Sequence, residues 1–576
     1  MDVPAALIRL GISGQRIVKT FKLGRSEKLV LVIWICFVVR GCFYCALLPM
    51  WEGYDEPFHF AFIQHVAAGK GLPVPTTPVS REVQESLHLV PLSWQERLHA
   101  LAPPIYSEDS YWQLTKAERK NLQQQVRALP PEWGMQPGTA PALYEAQQAP
   151  LYYWIMAVPF RLVAEWPLAA RVLFLRVASV LLASLVIPLA YAAAGRFFAG
   201  DTQASAIVAV IACMPELMID ISRVGNESLA IPVYSLLTLL LLRAVQRGGS
   251  RWFVAAGVVL GAGLLTKAYF VFAIPALLAT GAYSAWQGGA QRRRIIFNTA
   301  LGTVLAVLIS FAWYWRNHLV TGTWSGEQDA AIAAHGTVSH VVGAVGHVHW
   351  TGAIASVLIS HIWFGGWSFL KLPRFVYAVF VLGMGAAVVG LAKAVLGHRL
   401  RPGQLVVPLA LYGFFWVGLL CDVLAIYIAR GVSASCGWYL YALIVPEVLL
   451  VTCGLYALAP EVWRWTVLPG MTVAFAALDL YGAHALLVPY YTGLISHPGA
   501  GDLIRPAGLS DLVNAGPHLL LARLTANRPA FLSPEMMALL LLAWYAATAV
   551  CVAISYSAMR RHRRLDQPEM AATVIR

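Results

Sequence analysis

Asp55 and Glu56 stand side by side in LPMWEGYDEPFHFAFIQHVAAGKG, where the first long apolar segment of this 576-residue chain ends. Adjacent carboxylates can cap a helix, hold a metal or move protons in catalysis. Pro57 fits best at the first position of a helix, and the residue before a proline avoids helical angles. Glu56 or its neighbour is therefore the expected N-cap of a helix running through PFHFAFIQHVAA to Gly69 or Gly71. A helix N-terminus favours negative charge, so one or both carboxylates are expected to stay ionised. A cap uses one carboxylate; the second, with His59 close by, is left for chemistry.

Four further stretches carry polar residues at the edges of apolar segments. EAQQAPLYYWIMAVPFRL (145–162) holds Tyr152 in a Pro-Leu-Tyr-Tyr run, and RVGNESLA (223–230) holds Arg223, Asn226 and Glu227. GAGLLTKAYFVFAIP (261–275) holds Lys267, and WYWRNHLVTGTW (313–324) holds Arg316. Structural duties exist for each cation: a lysine snorkels at a helix end, and an arginine anchors at an interface. A separate group, His335, His340, His347, His349 and His361, includes the run HVHW. Imidazoles suit zinc and other transition metals, but these lack acidic or cysteine partners at motif spacing. No metal ligands are assigned and no cofactor is required, although a divalent metal is compatible with the site. Of the eight cysteines, most lie in apolar segments, and the one CxxC (Cys42, Cys45) falls inside the first of them. A redox pair needs an accessible thiolate at a helix N-terminus, so these are read as packing residues.

The elements that must position these groups are transmembrane helices. The chain is 59% hydrophobic and 12% charged, against about 25% charged in soluble domains. Its net charge of +13 comes in short runs between apolar segments, the pattern of cytoplasmic membrane loops and not of a nucleic-acid partner. A span needs about 20 apolar residues. The candidates are 29–50, 172–196, 202–221, 229–245, 252–266, 268–286, 295–315, 375–396, 405–428, 438–458, 462–481 and 536–557. The first follows Arg9, Arg16, Lys19, Lys22, Arg25 and Lys28; it is too long for a signal peptide, and its basic flank is expected on the inside. RAVQRGGSR, QRRR, KAVLGHRLR and the tail RRHRR fall inside as well, provided that 150–164 and 351–370, the latter interrupted by FGGW, lie at the outer interface without crossing.

The expectation is an all-α polytopic membrane protein with about twelve transmembrane helices and both ends cytoplasmic. Residues 1–28 form a basic cytoplasmic segment; 29–324 a catalytic transmembrane module with the outer loop 51–149; 325–374 an outer loop with an interfacial helix. Residues 375–558 form the remaining helices, with the outer loop 482–535, and 559–576 a basic cytoplasmic tail. This topology brings the four polar stretches and the acid pair to one outer face. No internal repeat of the kind seen in secondary transporters is present.

In order and spacing these motifs resemble the GT-C superfamily of integral-membrane glycosyltransferases, in the bacterial branch near protein O-mannosyltransferases and aminoarabinose transferases. DEPFHFAFIQHVAAGKG is similar to the acidic motif that follows the family's first span. APLYYW is similar to its PPLyy, LLTK to its ltK, and WYWRNHLVTG to its W..RN...G. The matched motifs cover about 29–324, the superfamily's shared seven-helix N-terminal module with outer-face juxtamembrane helices. SHIWFGGWSFLKLPRFVY and GWYLYALIVPEVLLVTCGL resemble later segments of some bacterial members. Gln148-Ala149-Pro150 departs from the more common His-Pro-Pro. Trp438 occupies a position that is often arginine, whose work would be lost or fall to Arg430 or Lys371.

The resemblance implies a polyprenyl-phosphate-linked sugar donor at the outer face of a bacterial cytoplasmic membrane, periplasmic or extracellular, and an unidentified acceptor hydroxyl. It implies Asp55 as general base, with inversion at the sugar. Glu56 would hold Asp55, His59 or a sugar hydroxyl, and which of the two carboxylates is the base stays open. Lys267, Arg223 and Arg316 would stabilise the leaving phosphate; His59, Tyr152, Asn226 and Glu227 complete the implied substrate site. Two other readings compete. A transporter or flippase of lipid-linked sugars would use charges near the bilayer midplane, for which Arg40, Arg176, Glu216 and Asp422 are candidates. A non-catalytic glycolipid-binding protein is motivated by Trp438.

Overall fold

The computed structural model describes residues 24–94, 103–131, 141–198, 200–247, 249–327, 329, 332–333, 338–397, 402–498 and 504–573. The segments 1–23 and 574–576, His335, and part of the basic loop around 398–401 lie outside the described residues. Among the described residues the architecture is a helical bundle, with a two-residue parallel pairing of Pro91–Leu92 and Tyr106–Ser107 as its sheet.

Among the described residues ten helices are long and apolar enough to cross a membrane: Arg25–Leu47, Leu168–Phe197, Glu227–Gln246, Ala268–Gln287, Gly289–Thr321, Arg374–Leu396, Gly403–Arg430, Gly437–Leu458, Glu461–Tyr491 and Pro534–Arg563. They coincide with ten of the twelve expected spans, and the chain is an all-α polytopic membrane protein. The other two differ from the expectation. Segment 202–221 is broken into Asp201–Cys213 and Pro215–Ile221, bent by 65°. Pro215 has no N–H for the ladder and drives Met214 into an extended conformation (φ −70°, ψ 115°), which ends the first piece. Segment 252–266 forms only the 14-residue helix Arg251–Leu264.

Close helix contacts run through small residues, as expected where packing replaces the hydrophobic effect. A Cβ on Gly257 would stand 2.1 Å from the Gly302 carbonyl oxygen, and one on Gly390 1.9 Å from that of Gly454. Polar residues add cross-links: Arg40 of the first span donates to Asp479 at 2.8 Å, and the indole of Trp544 donates to the same carboxylate at 3.0 Å. Tyr44 donates to its other oxygen.

The two segments expected to remain uncrossed form short helices. Leu151–Leu162 has 12 residues, below the length of a span. Trp350–Ile362 is bent by 73° against Ser339–His347, and the segment 363–370 after it, which includes FGGW, is a loop with Gly365, Gly366 and Phe369 in left-handed conformations. Two buried carboxylates pin that loop. Glu216 accepts from the N–H groups of Phe364 (2.9 Å) and Gly365 (3.1 Å). Glu52 accepts from the N–H (3.1 Å) and hydroxyl (2.9 Å) of Ser368.

Candidate active site

The acid pair follows a tight turn at the end of the first span. The helix begins at Glu56 and stops at Ala67, earlier than the glycines expected to end it; Gly69 and Gly71 lie beyond at positive φ. Asp55 is the N-cap but in the left-handed region (φ 56°, ψ 19°), with no side-chain hydrogen bond to the helix end. Its half-buried carboxylate instead accepts a hydrogen bond from the Tyr144 hydroxyl. The capping duty that sequence reasoning weighed is thus performed by backbone alone.

Glu56 has a different fate. It is fully buried, and Arg176 grips both its oxygens, Nε at 2.7 Å and Nη2 at 2.5 Å; the Val224 N–H adds a bond at 2.9 Å. Arg176 also donates to the carbonyls of Cys45 (3.2 Å), Leu48 (2.6 Å) and Pro49 (2.6 Å), groups a helix C-terminus leaves without intrahelical partners. One guanidinium therefore fastens the end of the first span to the start of the acid-pair helix. The charge at Arg176, conspicuous in an apolar segment, is spent on this staple.

The cations face the acids from two other elements. Arg223 lies in the turn before Glu227–Arg247 and donates to Asp220 at 2.8 Å and to the Tyr54 carbonyl at 3.0 Å. It contacts Glu227 at 3.2 Å and lies 4.7 Å above the Tyr54 ring. Two glycines make room for it: a Cβ on Gly53 would come within 2.6 Å of the Arg223 Cβ, and one on Gly225 within 2.4 Å of its Nη1. Lys267 sits in the turn after Arg251–Leu264, in contact with Glu227 and flanked by the rings of Tyr439 (4.8 Å) and Tyr269 (5.5 Å). The charges of Arg223, Asp220, Glu145 and Asp55 all act on it. Asn226 ties the cluster together, donating to Gln148 at 2.9 Å and to the Thr266 carbonyl at 3.3 Å, with its Oδ1 buried and unpartnered.

His59 is hydrogen-bonded through Nδ1 to the Tyr153 hydroxyl at 2.7 Å. Burial, then the charges of Arg223 and Lys267, hold its pKa well below the usual histidine range, so the imidazole is neutral. Tyr152 meets the Ser179 hydroxyl at 2.7 Å and accepts from the Gly225 N–H at 3.1 Å. Arg316 goes elsewhere: it donates to the carbonyls of Pro73 (2.6 Å) and Leu72 (3.3 Å) and packs 5.0 Å from the Trp313 ring. It ties the 72–73 stretch to the Gly289–Thr321 helix, the anchoring duty available to it from the sequence.

Several members of the cluster escaped the sequence reading. Tyr54 and Tyr144 flank motifs already singled out, and Glu145 opens one of them, but an isolated tyrosine or glutamate in a loop carries no spacing signal. Trp438 stacks face to face on Tyr54 at 4.2 Å and 7°, so an aromatic wall stands where the resemblance expects an arginine. Arg430 pairs with Asp329 at 2.6 Å and Lys371 lies 5.8 Å from the Phe369 ring. Among the histidines, His361 pairs with Glu447 at 2.8 Å. No three His, Cys, Asp or Glu side chains among the described residues come together as metal ligands.

Residues 147–315 match the sequence model of the family described as dolichyl-phosphate-mannose-protein mannosyltransferase. That model describes a GT-C mannosyltransferase family, so what the segment is similar to agrees with the resemblance of the motifs. The matched segment contains Tyr152, Arg223, Asn226, Glu227 and Lys267 but not the acid pair. No curated protein matches the chain. Among solved structures, the crystal structure of ArnT from Cupriavidus metallidurans in the apo state is similar at 15% identity and a TM-score of 0.44, over 93% of this chain and 78% of that one.

Proposed function

We propose that the protein is a glycosyltransferase that moves a sugar from a polyprenyl-phosphate donor to an acceptor hydroxyl at the outer face of the membrane. The observation that carries this reading is the division of labour in the acid pair. Glu56 is locked to Arg176, whereas Asp55 is half-buried, is hydrogen-bonded by the Tyr144 hydroxyl, and lies within the electrostatic reach of Arg223 and Lys267. The matched family supports a lipid-linked sugar as donor class. The membrane is taken to be the cytoplasmic membrane of a bacterium, with the site on its periplasmic or extracellular side.

In this scheme Asp55 takes the proton from the acceptor hydroxyl, whose oxygen attacks the anomeric carbon as the bond from that carbon to the phosphate oxygen breaks. The configuration inverts, and the electron pair leaves with the polyprenyl phosphate. That phosphate carries its charge throughout and needs cations more than a proton; Lys267 and Arg223 supply them. Glu56, clamped by Arg176, fixes the start of the helix that Asp55 caps, and His59, neutral, can exchange hydrogen bonds with a sugar hydroxyl. A divalent metal is not required here, so turnover is expected to survive EDTA.

Against the transporter reading, each of its candidate charges has an internal partner: Arg40 has Asp479, Arg176 has Glu56, Glu216 the 364–365 amides, and Asp422 the Ser435 hydroxyl at 2.6 Å. The test is sugar release from a radiolabelled panel of polyprenyl-phosphate sugars by protein in bilayers, with total membranes as acceptor source. Turnover is expected to fall by about 10²–10⁴ in Asp55→Asn, the usual share of a general base. Equal turnover in both proteins would remove Asp55 from the mechanism, and none in either would remove the transferase.

A further inference from the structure

Tyr54 has no part in the scheme above, yet Arg223 rests on it. The residue precedes Asp55 and is buried. Its carbonyl accepts from Arg223 Nη1 at 3.0 Å, and the guanidinium carbon lies 4.7 Å from the centre of its ring. A cation over an aromatic face is attracted by the ring quadrupole, most strongly where both are desolvated, and Arg223 is itself buried. The carboxylates that pair with Arg223 belong to its own stretch of chain: Asp220 three residues before it and Glu227 four after. Tyr54 is what ties it to the turn that bears Asp55.

Tyr54 is in turn fixed by elements far along the chain. Its hydroxyl donates to Glu216 at 2.9 Å, and the other oxygen of that carboxylate accepts from the Phe364 and Gly365 N–H groups. Its ring stacks on Trp438 at 4.2 Å and 7°, and meets Trp367 edge-on at 5.7 Å and 61°. Phe364 packs against Trp438 at 5.4 Å. The FGGW run, to which the sequence attached no duty, therefore reaches the cation cluster through one tyrosine.

We propose that Tyr54 is a positioning residue: it holds Arg223 in place for the donor phosphate, and the FGGW loop with Trp438 holds Tyr54. The inference rests on the transferase reading, in which Arg223 binds that phosphate. A guanidinium is a planar fork, so its orientation decides which of its N–H groups can meet an anion. With the ring beneath it the fork is set before the donor arrives; without the ring, ordering that side chain becomes a cost of binding. Lys267 rests on other rings, Tyr439 and Tyr269, so a change at Tyr54 acts first on Arg223.

The experiment measures binding of a sugar-free polyprenyl phosphate to the protein in bilayers, beside the matched polyprenol that lacks the phosphate. Wild type is expected to prefer the phosphate. Tyr54→Leu should lose about tenfold of that preference with polyprenol binding unchanged, a difference that a merely structural role would not produce. Tyr54→Phe, which keeps the ring and gives up one hydrogen bond, should recover most of the loss. Trp438→Leu, which leaves the contacts of Arg223 in place but removes the stacked ring, should lose preference in the same direction. A wild-type preference in Tyr54→Leu overturns the inference, as does one in Trp438→Leu should the tyrosine variant not fold. A wild type that holds both lipids alike has no phosphate site, and then the transferase reading falls together with the inference.

Discussion

At the scale of the residue, two neighbours of like charge have opposite duties because their backbones and partners differ. Aspartate and asparagine tolerate the left-handed conformation better than other side chains with a Cβ. Asp55→Asn is therefore expected to fold like wild type while losing transfer, and Asp55→Ala to add about 1–3 kcal/mol of backbone strain. Arg176→Gln should behave differently: it leaves Glu56 as an uncompensated buried charge, and removing one partner of such a pair costs about 3–5 kcal/mol. Thermal unfolding in detergent separates the two, with a normal melting temperature for Asp55→Asn and a strongly lowered one for Arg176→Gln.

At the scale of the element, the 363–370 loop shows how a non-helical segment is held among apolar helices. Its backbone amides would be costly to bury unpaired, and Glu216 and Glu52 accept from them. Burial pushes Glu52 up to about 8, against the opposing hydrogen bonds of Ser368. Because the folded-state pKa is raised, the protonated form is the stabilised one. That contribution is complete below the ordinary glutamate range and is lost as pH rises through about 8. The melting temperature of wild type should fall between pH 6 and pH 9, and the fall should be shallower in Glu52→Gln. An identical slope would mean that Glu52 is not the titrating group. The turn carrying Arg223 depends on Gly225 in a similar local way: Gly225→Ala should displace the guanidinium and lower turnover while leaving the helices intact by circular dichroism.

At the scale of the whole molecule, distant parts of the chain are bound by buried polar contacts inside the membrane. Arg40 of the first span, Asp479 of the Glu461–Tyr491 span and Trp544 of the last span share one network, which ties the N-terminal module to the C-terminal helices. Asp479→Ala should destabilise the protein by about 3–5 kcal/mol, whereas the double replacement Arg40→Met with Asp479→Leu should recover most of the loss, since an apolar pair fills the same space without charge. A double variant as unstable as the single one would locate the role of the network in something other than charge compensation.

The sequence alone determined the helical membrane class and, among the described residues, ten helices long and apolar enough to span. These depend on apolar length, loop charge and proline, which act locally and are legible residue by residue. The tertiary structure decided that Glu56 is gripped by Arg176 and Asp55 bonded by Tyr144, because Arg176 lies 120 residues from Glu56 and no spacing rule links them. It also decided that Arg316 anchors a loop, that Trp438 stacks on Tyr54, and that the Tyr144 hydroxyl donates to Asp55. Each of these is a contact between segments far apart in the chain, set by how the helices pack, and a side chain's chemistry is fixed by the partners that packing gives it.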